Sequence, residues 1–263
     1  MKRNRLKLYS LYTPSQKKIK DEWFLKTMRD DYEIFFEVCA VEDGGAFVDP
    51  VGGPPVIQKV DLVIRAIQEN WGNVFIFSDV DVQFFQPTEP ILVPMMESLD
   101  WVMLRDSMDG RMCPGFFACR ANEKTLAFWK DVRTYLDRHL EETDEEALNH
   151  LWVSKSDGLM RLFLYFGEWG AKIPVGRKWI SRLMVLGKPK WKNAYDIRWN
   201  FLPDTFLSLG ILGHSAWKPG MMIKAPDKIV LHHANGIEPG LSHKLTCLRH
   251  VREIVARRDY VRG

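Results

Sequence analysis

Residues 73–85, "NVFIFSDVDVQFF", decide the fold: an apolar run of strand character carries two carboxylates, Asp79 and Asp81, one residue apart. Read as one extended strand, the run sends both aspartates to a single face and turns Val80 and Val82 to the core, because alternate residues point the same way. Two unpaired carboxylates this close repel each other and are costly to bury. The pattern calls for a positive partner, and a hard divalent cation with oxygen ligands suits it. A strand-end turn with two exposed aspartates is the plainer alternative; "FIF" before and "FF" after the pair weigh against it.

Upstream, "RLKLYSLYT" (5–13) alternates apolar and polar residues and stops at Pro14, as a strand does. "SQKKIKDEWFLKTMRD" (15–30) has helical spacing, "YEIFFEVCAV" (32–41) reads as a second strand, and 42–55 is a Gly/Pro-rich loop. "VIQKVDLVIRAIQENW" (56–71) sets Val56, Val60, Val63, Ile64 and Ile67 on one helical face, with Gly72 just past its end. This order predicts an α/β layered fold of Rossmann type, with a mostly parallel central sheet flanked by helices. Ligands of such sheets sit beyond the carboxyl ends of the strands, where the aspartates lie.

Downstream, "DWVMLRD" (100–106) and "GFFACRA" (115–121) read as strands, 122–140 as a long helix capped by Asn122, and 144–154 as a short helix. The chain from 155 to 228 is irregular and rich in tryptophan; "KIVLHHANG" (228–236) reads as a last strand and 242–261 as a terminal amphipathic helix. There are no repeats and no linker, so the whole of 1–263 is expected to form one domain, with halves at about 1–125 and about 126–263.

With 46% apolar residues in 263, the chain can bury a sizeable core. A net charge of +3 is too small for a dedicated nucleic-acid binder. The basic ends "MKRNRLK" and "RHVREIVARR" leave peripheral contact with an anionic membrane surface open. Cys39, Cys113, Cys119 and Cys247 lack metal-finger or CxxC spacing, as reduced thiols in a cytosolic protein do. The start carries no apolar secretory stretch, and no run reaches the roughly 18 apolar residues of a membrane span, so a cytoplasmic location is expected.

Two enzyme classes place DxD after an apolar strand. In haloacid-dehalogenase-type phosphatases the first Asp is a nucleophile and the motif runs DxDx[TV] on the first strand; here Gln83 stands at the last position, on about the third strand. The sequence more closely resembles GT-A-fold glycosyltransferases, specifically the nucleotide-diphospho-sugar transferase family that includes plant cell-wall xylosyl- and arabinosyltransferases. The resemblance runs from about Val56 to Arg249. It is carried by "IQKVDLVIRAIQENWGNVFIFSDVDVQFF" (57–85), "CPGFFACRAN" (113–122), "TDEEALNHL" (143–151) and "HHANGIEPGLSHKL" (232–245), in family order. Two departures stand out: Cys113 and Pro114 replace a small polar pair, and Glu145 stands where Gln is usual.

The resemblance implies a metal-dependent transfer of a sugar, with xylose as one candidate, from a nucleotide diphosphate such as UDP to a carbohydrate hydroxyl. Asp79, Asp81 and His233 are the implied ligands of Mn²⁺ or Mg²⁺, with a core histidine as the alternative for His233 and the stronger reading for His232. Gly236 and Gly240 let a loop approach phosphate, Lys244 neutralises the leaving diphosphate, and Lys59 meets phosphate or the aspartates. Tyr12, with Ser10 and Thr13, ends the first strand where the nucleoside would bind, with Tyr9 and Tyr12 as ordinary core aromatics the alternative. Arg105, Asp106, Cys113 and Gly115 fall where donor sugar or acceptor is held, with a surface salt bridge the alternative for Arg105 and Asp106; Asp196, Asp204, Trp169 and Trp199 are further candidate acceptor contacts, most tryptophans of this stretch being expected in the core. For an inverting transfer Asp144, then Glu145, are the candidate catalytic bases, while a retaining one needs none and the sequence leaves the stereochemistry open; Thr143 followed by three acids also reads simply as helix-start chemistry. A carbohydrate-binding module without catalysis is the non-enzyme alternative.

Overall fold

The structure is a computed structural model and describes residues 5–41, 53–106, 111–154, 193–208, 216–223, 225–237 and 240–262. Its elements in chain order are β1 (Lys7–Tyr12), α1 (Lys17–Ile19), β2 (Glu33–Val38), α2 (Pro54–Glu69), β3 (Val74–Ser78), β4 (Val82–Phe84), α3 (Glu89–Ser98), β5 (Trp101–Arg105), β6 (Met112–Arg120), α4 (Glu123–Leu136), α5 (Asp144–Ser154), β7 (Trp199–Phe201), β8 (Phe206–Ser208), β9 (Leu231–His233) and α6 (Leu241–Arg262). The helix expected over 15–30 is a composite: a 3₁₀ turn at Pro14–Gln16, then α1, then a π-helical turn at Lys20–Leu25.

A central sheet of six strands has the order β2-β1-β3-β6-β5-β7, and a smaller sheet has the order β4-β9-β8. In the central sheet β1 is parallel to β2 and β3, and β5 to β7, while β6 runs against both of its neighbours. The expected α/β fold with a mostly parallel sheet is thus present, with one reversed strand among the described residues.

Residues 73–85 are not one strand. β3 pairs with β6, whereas β4 pairs with β9 in the other sheet, so the chain turns through Asp79–Val80–Asp81 as it passes between sheets. The turn is pinned on both sides: Asp79 N donates to Gly115 O at 2.8 Å, and Ala234 N donates to Asp81 O at 2.9 Å. What aims the two carboxylates together is therefore this pair of long-range backbone bonds, rather than strand alternation.

α2 follows its sequence pattern. Pro54 and Pro55 start it, Val56, Val60, Val63, Ala66 and Ile67 are buried, and Gly72 takes φ 80°, the left-handed geometry that ends the turn before β3. Lys59 lies on the same buried face and is only 5% exposed. Phe75 and Phe77 of β3 join the core on the side of α2, α4 and α5, while Ile76 joins the core of the opposite side with Leu92 and Met96 of α3.

Trp199, expected against an acceptor, is buried in the first of these cores, its ring 5.1 Å from that of Trp152. Trp169 lies outside the described residues. Asp196, which precedes β7, is highly exposed, has φ 54°, and pairs with Lys124 at 2.6 Å. No helix among the described residues is long and apolar enough to cross a membrane.

Candidate active site

Four segments meet at the end of β3. The turn after β3 supplies Asp79 and Asp81, β9 supplies His233, the first turn of α6 supplies Lys244, and α2 supplies Lys59. One ligand atom each from Asp79, Asp81 and His233 lies within 4.8 Å of the others. His233 Nε2 is 3.3 Å from Asp81 Oδ1 and 3.6 Å from Asp79 Oδ2. Lys244 Nζ pairs with Asp81 Oδ2 at 2.5 Å.

Lys59 ties this cluster to a second acid. Its Nζ is 2.9 Å from Asp79 Oδ1 and 2.8 Å from Asp144 Oδ2. Burial would favour the neutral amine, but Asp144 and Asp79 overcome it and raise the Lys59 pKa. Burial likewise opposes ionisation of both aspartates of the turn. It raises Asp79 despite Lys59, whereas at Asp81 Lys244 and His233 win and hold the carboxyl well below its ordinary range.

α5 divides the acids of "TDEE" between two tasks. Thr143 Oγ1 accepts from Glu146 N at 3.2 Å, and Glu146 Oε2 accepts from Thr143 N at 2.9 Å, a reciprocal helix cap. Asp144 turns inward to Lys59, and Glu145 Oε2 accepts from Asn235 Nδ2 at 3.4 Å. Burial, with Asp106 and Asp144 nearby, pushes Glu145 up to about 8. Asn149 fixes α5 to β6, donating to Met112 O at 2.8 Å and accepting from Met112 N at 2.9 Å.

β6 carries a register shift opposite Met103/Leu104, and Pro114, which has no N–H to give a ladder, lies within it. The irregularity brings Cys113 and Gly115 against His233. Cys113 Sγ is 3.5 Å from His233 Nδ1, and a Cβ added to Gly115 would lie 2.1 Å from Cε1 of the ring. Burial, reinforced by the charge of Glu145, pushes the Cys113 thiol well up.

The other expected residues divide. Gly236 and Gly240 adopt φ 61° and 130°, so both take left-handed backbone on the way from β9 to α6. Tyr12 is half-buried, with Lys20 Nζ 5.1 Å from its ring, while Ser10 and Thr13 are enclosed. Arg105 is engaged by Asp204 in an ion pair whose acid is largely solvent-exposed, and Asp106 is buried near Glu145. His232 is a core residue: Gln83 Nε2 meets its Nδ1 at 2.9 Å, and burial lowers its pKa to about 3. Sequence reasoning missed Asn149 and Asn235; both stand inside quoted motifs, "ALN" and "HAN", but a lone amide signals no role without its partner.

Acidic and basic side chains thus gather beyond the carboxyl end of β3, where open α/β sheets place their ligands. The profile of the nucleotide-diphospho-sugar transferase family matches residues 60–248, most of the chain, and the protein belongs to that family. It is a glycosyltransferase with a sugar-nucleotide donor. No curated protein matches the chain in sequence.

Among solved structures, a glycosyltransferase involved in the glycosylation of the major capsid of PBCV-1 aligns at TM-score 0.46 and 10% identity, over 95% of this chain and 100% of that one. The bifunctional glycosyltransferase WbbM in its apo form aligns at TM-score 0.44 and 10% identity, over 90% of this chain and 46% of that one. Mouse xyloside xylosyltransferase 1, also apo, aligns at 0.38 and 10% identity, over 88% and 98%.

Proposed function

We propose that the protein transfers a sugar from a nucleoside diphosphate, UDP being the first choice, to a carbohydrate hydroxyl with the help of a bound Mn²⁺ or Mg²⁺. The observation that carries this reading is the convergence of Asp79, Asp81 and His233 within 4.8 Å. The donor set suits the ion: two hard carboxylates and an imidazole are ordinary ligands for it. The charge balance suits it too. Three carboxylates (Asp79, Asp81, Asp144) face two ammonium groups (Lys59, Lys244), which leaves one negative charge over when the imidazole is uncharged. When bound, the ion screens the diphosphate and polarises its oxygens.

The chain's own residues do the rest. Lys244, partly enclosed at the start of α6 and paired with Asp81, is the side-chain cation placed to neutralise the departing diphosphate. Lys59 holds Asp79 and Asp144 in fixed orientation. Of the two candidate bases, Glu145 fits better than Asp144. Asp144 is engaged by Lys59, whereas Glu145, raised to about 8, is matched to a hydroxyl-activating role near neutral pH.

The reading is tested by thermal shift and turnover across a panel of nucleotide sugars, with and without Mn²⁺. Stabilisation by UDP or a UDP-sugar that depends on the metal is expected, since a ligand of the native state raises its stability. Absence of any response to every nucleotide would sink it.

Glu145→Gln separates the chemistry of this acid from its effect on the fold. As a base it must be ionised, so wild-type activity should climb with pH through about 8, and the variant should lose roughly 100-fold or more in kcat. Stability moves the other way. The folded Glu145 keeps its proton to higher pH than the unfolded chain, so its ionisation weakens the fold as pH rises from the ordinary carboxylate range to about 8. Gln removes that penalty, and the Tm difference, variant minus wild type, should be more positive at pH 8 than at pH 5. An unchanged kcat would return the role to another group.

A further inference from the structure

We propose that Cys113 is a positioning residue that sets the orientation and tautomer of His233. Its sulfur takes the Nδ1–H of the imidazole, so that Nε2 is left to offer its lone pair to a cation held between it, Asp79 and Asp81. The inference rests on the reading of these three side chains as a cation site.

The geometry around the sulfur carries it. Cys113 is 1% exposed, so no water competes for its lone pairs. His233 Nδ1 lies 3.5 Å from Sγ, within reach of an N–H···S bond. Two more groups meet the same sulfur: Asn235 Nδ2 donates at 3.5 Å and Ser208 Oγ at 3.8 Å. Both are anchored near the histidine, since Ser208 of β8 pairs in register with His233 and Asn235 follows it by two residues. With two donors already on the sulfur and the thiol proton directed to Glu145, Cys113 faces the imidazole as an acceptor. The ring itself rests on Gly115, where any Cβ would collide with it. Sulfur on one edge and bare backbone on one face leave the imidazole a single seat, with Nε2 3.3 Å from Asp81 Oδ1.

A histidine that binds a metal through one ring nitrogen commonly donates from the other, and the acceptor fixes both tautomer and orientation. Carboxylates and backbone carbonyls usually fill that place. Here a thiol fills it, on a strand whose irregularity and Pro114 bring the side chain under the ring. Glu145 meets the thiol and Asn235, not the imidazole. The substitution of a small polar pair by Cys113 and Pro114 thus has a local purpose that does not involve the sugar.

The test is Mn²⁺ uptake in the presence of a fixed UDP concentration, followed by loss of the free-ion EPR signal and corrected for a UDP-only blank. Wild type, C113A, C113S and D81N are compared. Ala and Ser lose nearly the same packing and differ by one acceptor oxygen. C113A should bind Mn²⁺ ~10-fold or more weakly, the usual effect of losing such an outer partner, and C113S should recover most of the affinity. Equal weakening in C113A and C113S, or wild-type affinity in C113A while D81N loses binding, overturns the positioning role and leaves the cation site standing. No uptake by wild type above the blank overturns the cation site, and this inference with it. Should C113A not fold, C113T and C113V ask the same question, because they differ only by hydroxyl for methyl.

Discussion

Asp81→Asn is expected to lower metal-dependent transfer by ~100- to 1000-fold while leaving the protein folded. The magnitude is that of removing one preorganised electrostatic group from a water-poor site. Asp81 is 4% exposed, touches His233 and Lys244, and is held strongly ionised by them, so it is the member of the trio already prepared to meet a cation. Asn keeps the volume and one acceptor oxygen but removes the charge. The loss of the Lys244 pair is offset in part by relief of repulsion with Asp79, whose carboxyl shares the same pocket. Steady-state rates with saturating Mn²⁺, alongside a thermal melt, measure both sides. Near-normal turnover in a folded variant excludes Asp81 as a ligand.

Lys59→Met should instead act on the fold. Lys59 is buried on α2 between Asp79 and Asp144 and is the common partner of both. Removing one side of a buried ion pair leaves an uncompensated charge, at a cost of about 3–5 kcal/mol. The stranded carboxylates then hold their protons more tightly in the folded protein than in the unfolded chain. The penalty is therefore full at neutral pH and shrinks as pH falls toward the ordinary carboxylate range, where the unfolded chain takes up the same protons. Urea denaturation at pH 7 and pH 5 reads this, and the loss should be clearly smaller at pH 5. A loss that is small and independent of pH would mean that Lys59 is not balancing these acids.

Much of this arrangement was legible in the chain. The order of strands and helices to β3, the Asn122 cap and the convergence of "SDVD" with "HHANG" all follow from local pattern and motif order, and Asn122 does accept from Thr125 N. Two things were not. The apolar run 73–85 gives no sign that it divides, because what divides it is the choice of partner, β6 before the turn and β9 after it, and β9 lies some 150 residues downstream. The second is packing between distant segments. Cys113 and Gly115 read only as neighbours of sugar or acceptor until His233 is seen resting on Gly115, and Trp199 reads as an acceptor contact until it is found buried beside Trp152. Residue type narrows the chemistry; only the partner fixes the role.

The central claim is that Asp79, Asp81 and His233 together hold a divalent cation against a nucleoside diphosphate. Anomalous diffraction at the manganese edge, from crystals grown with UDP and Mn²⁺, tests it most directly. The account predicts one strong peak in contact with all three side chains and with the diphosphate of UDP. UDP bound with no manganese at these residues, or manganese held elsewhere, would contradict it.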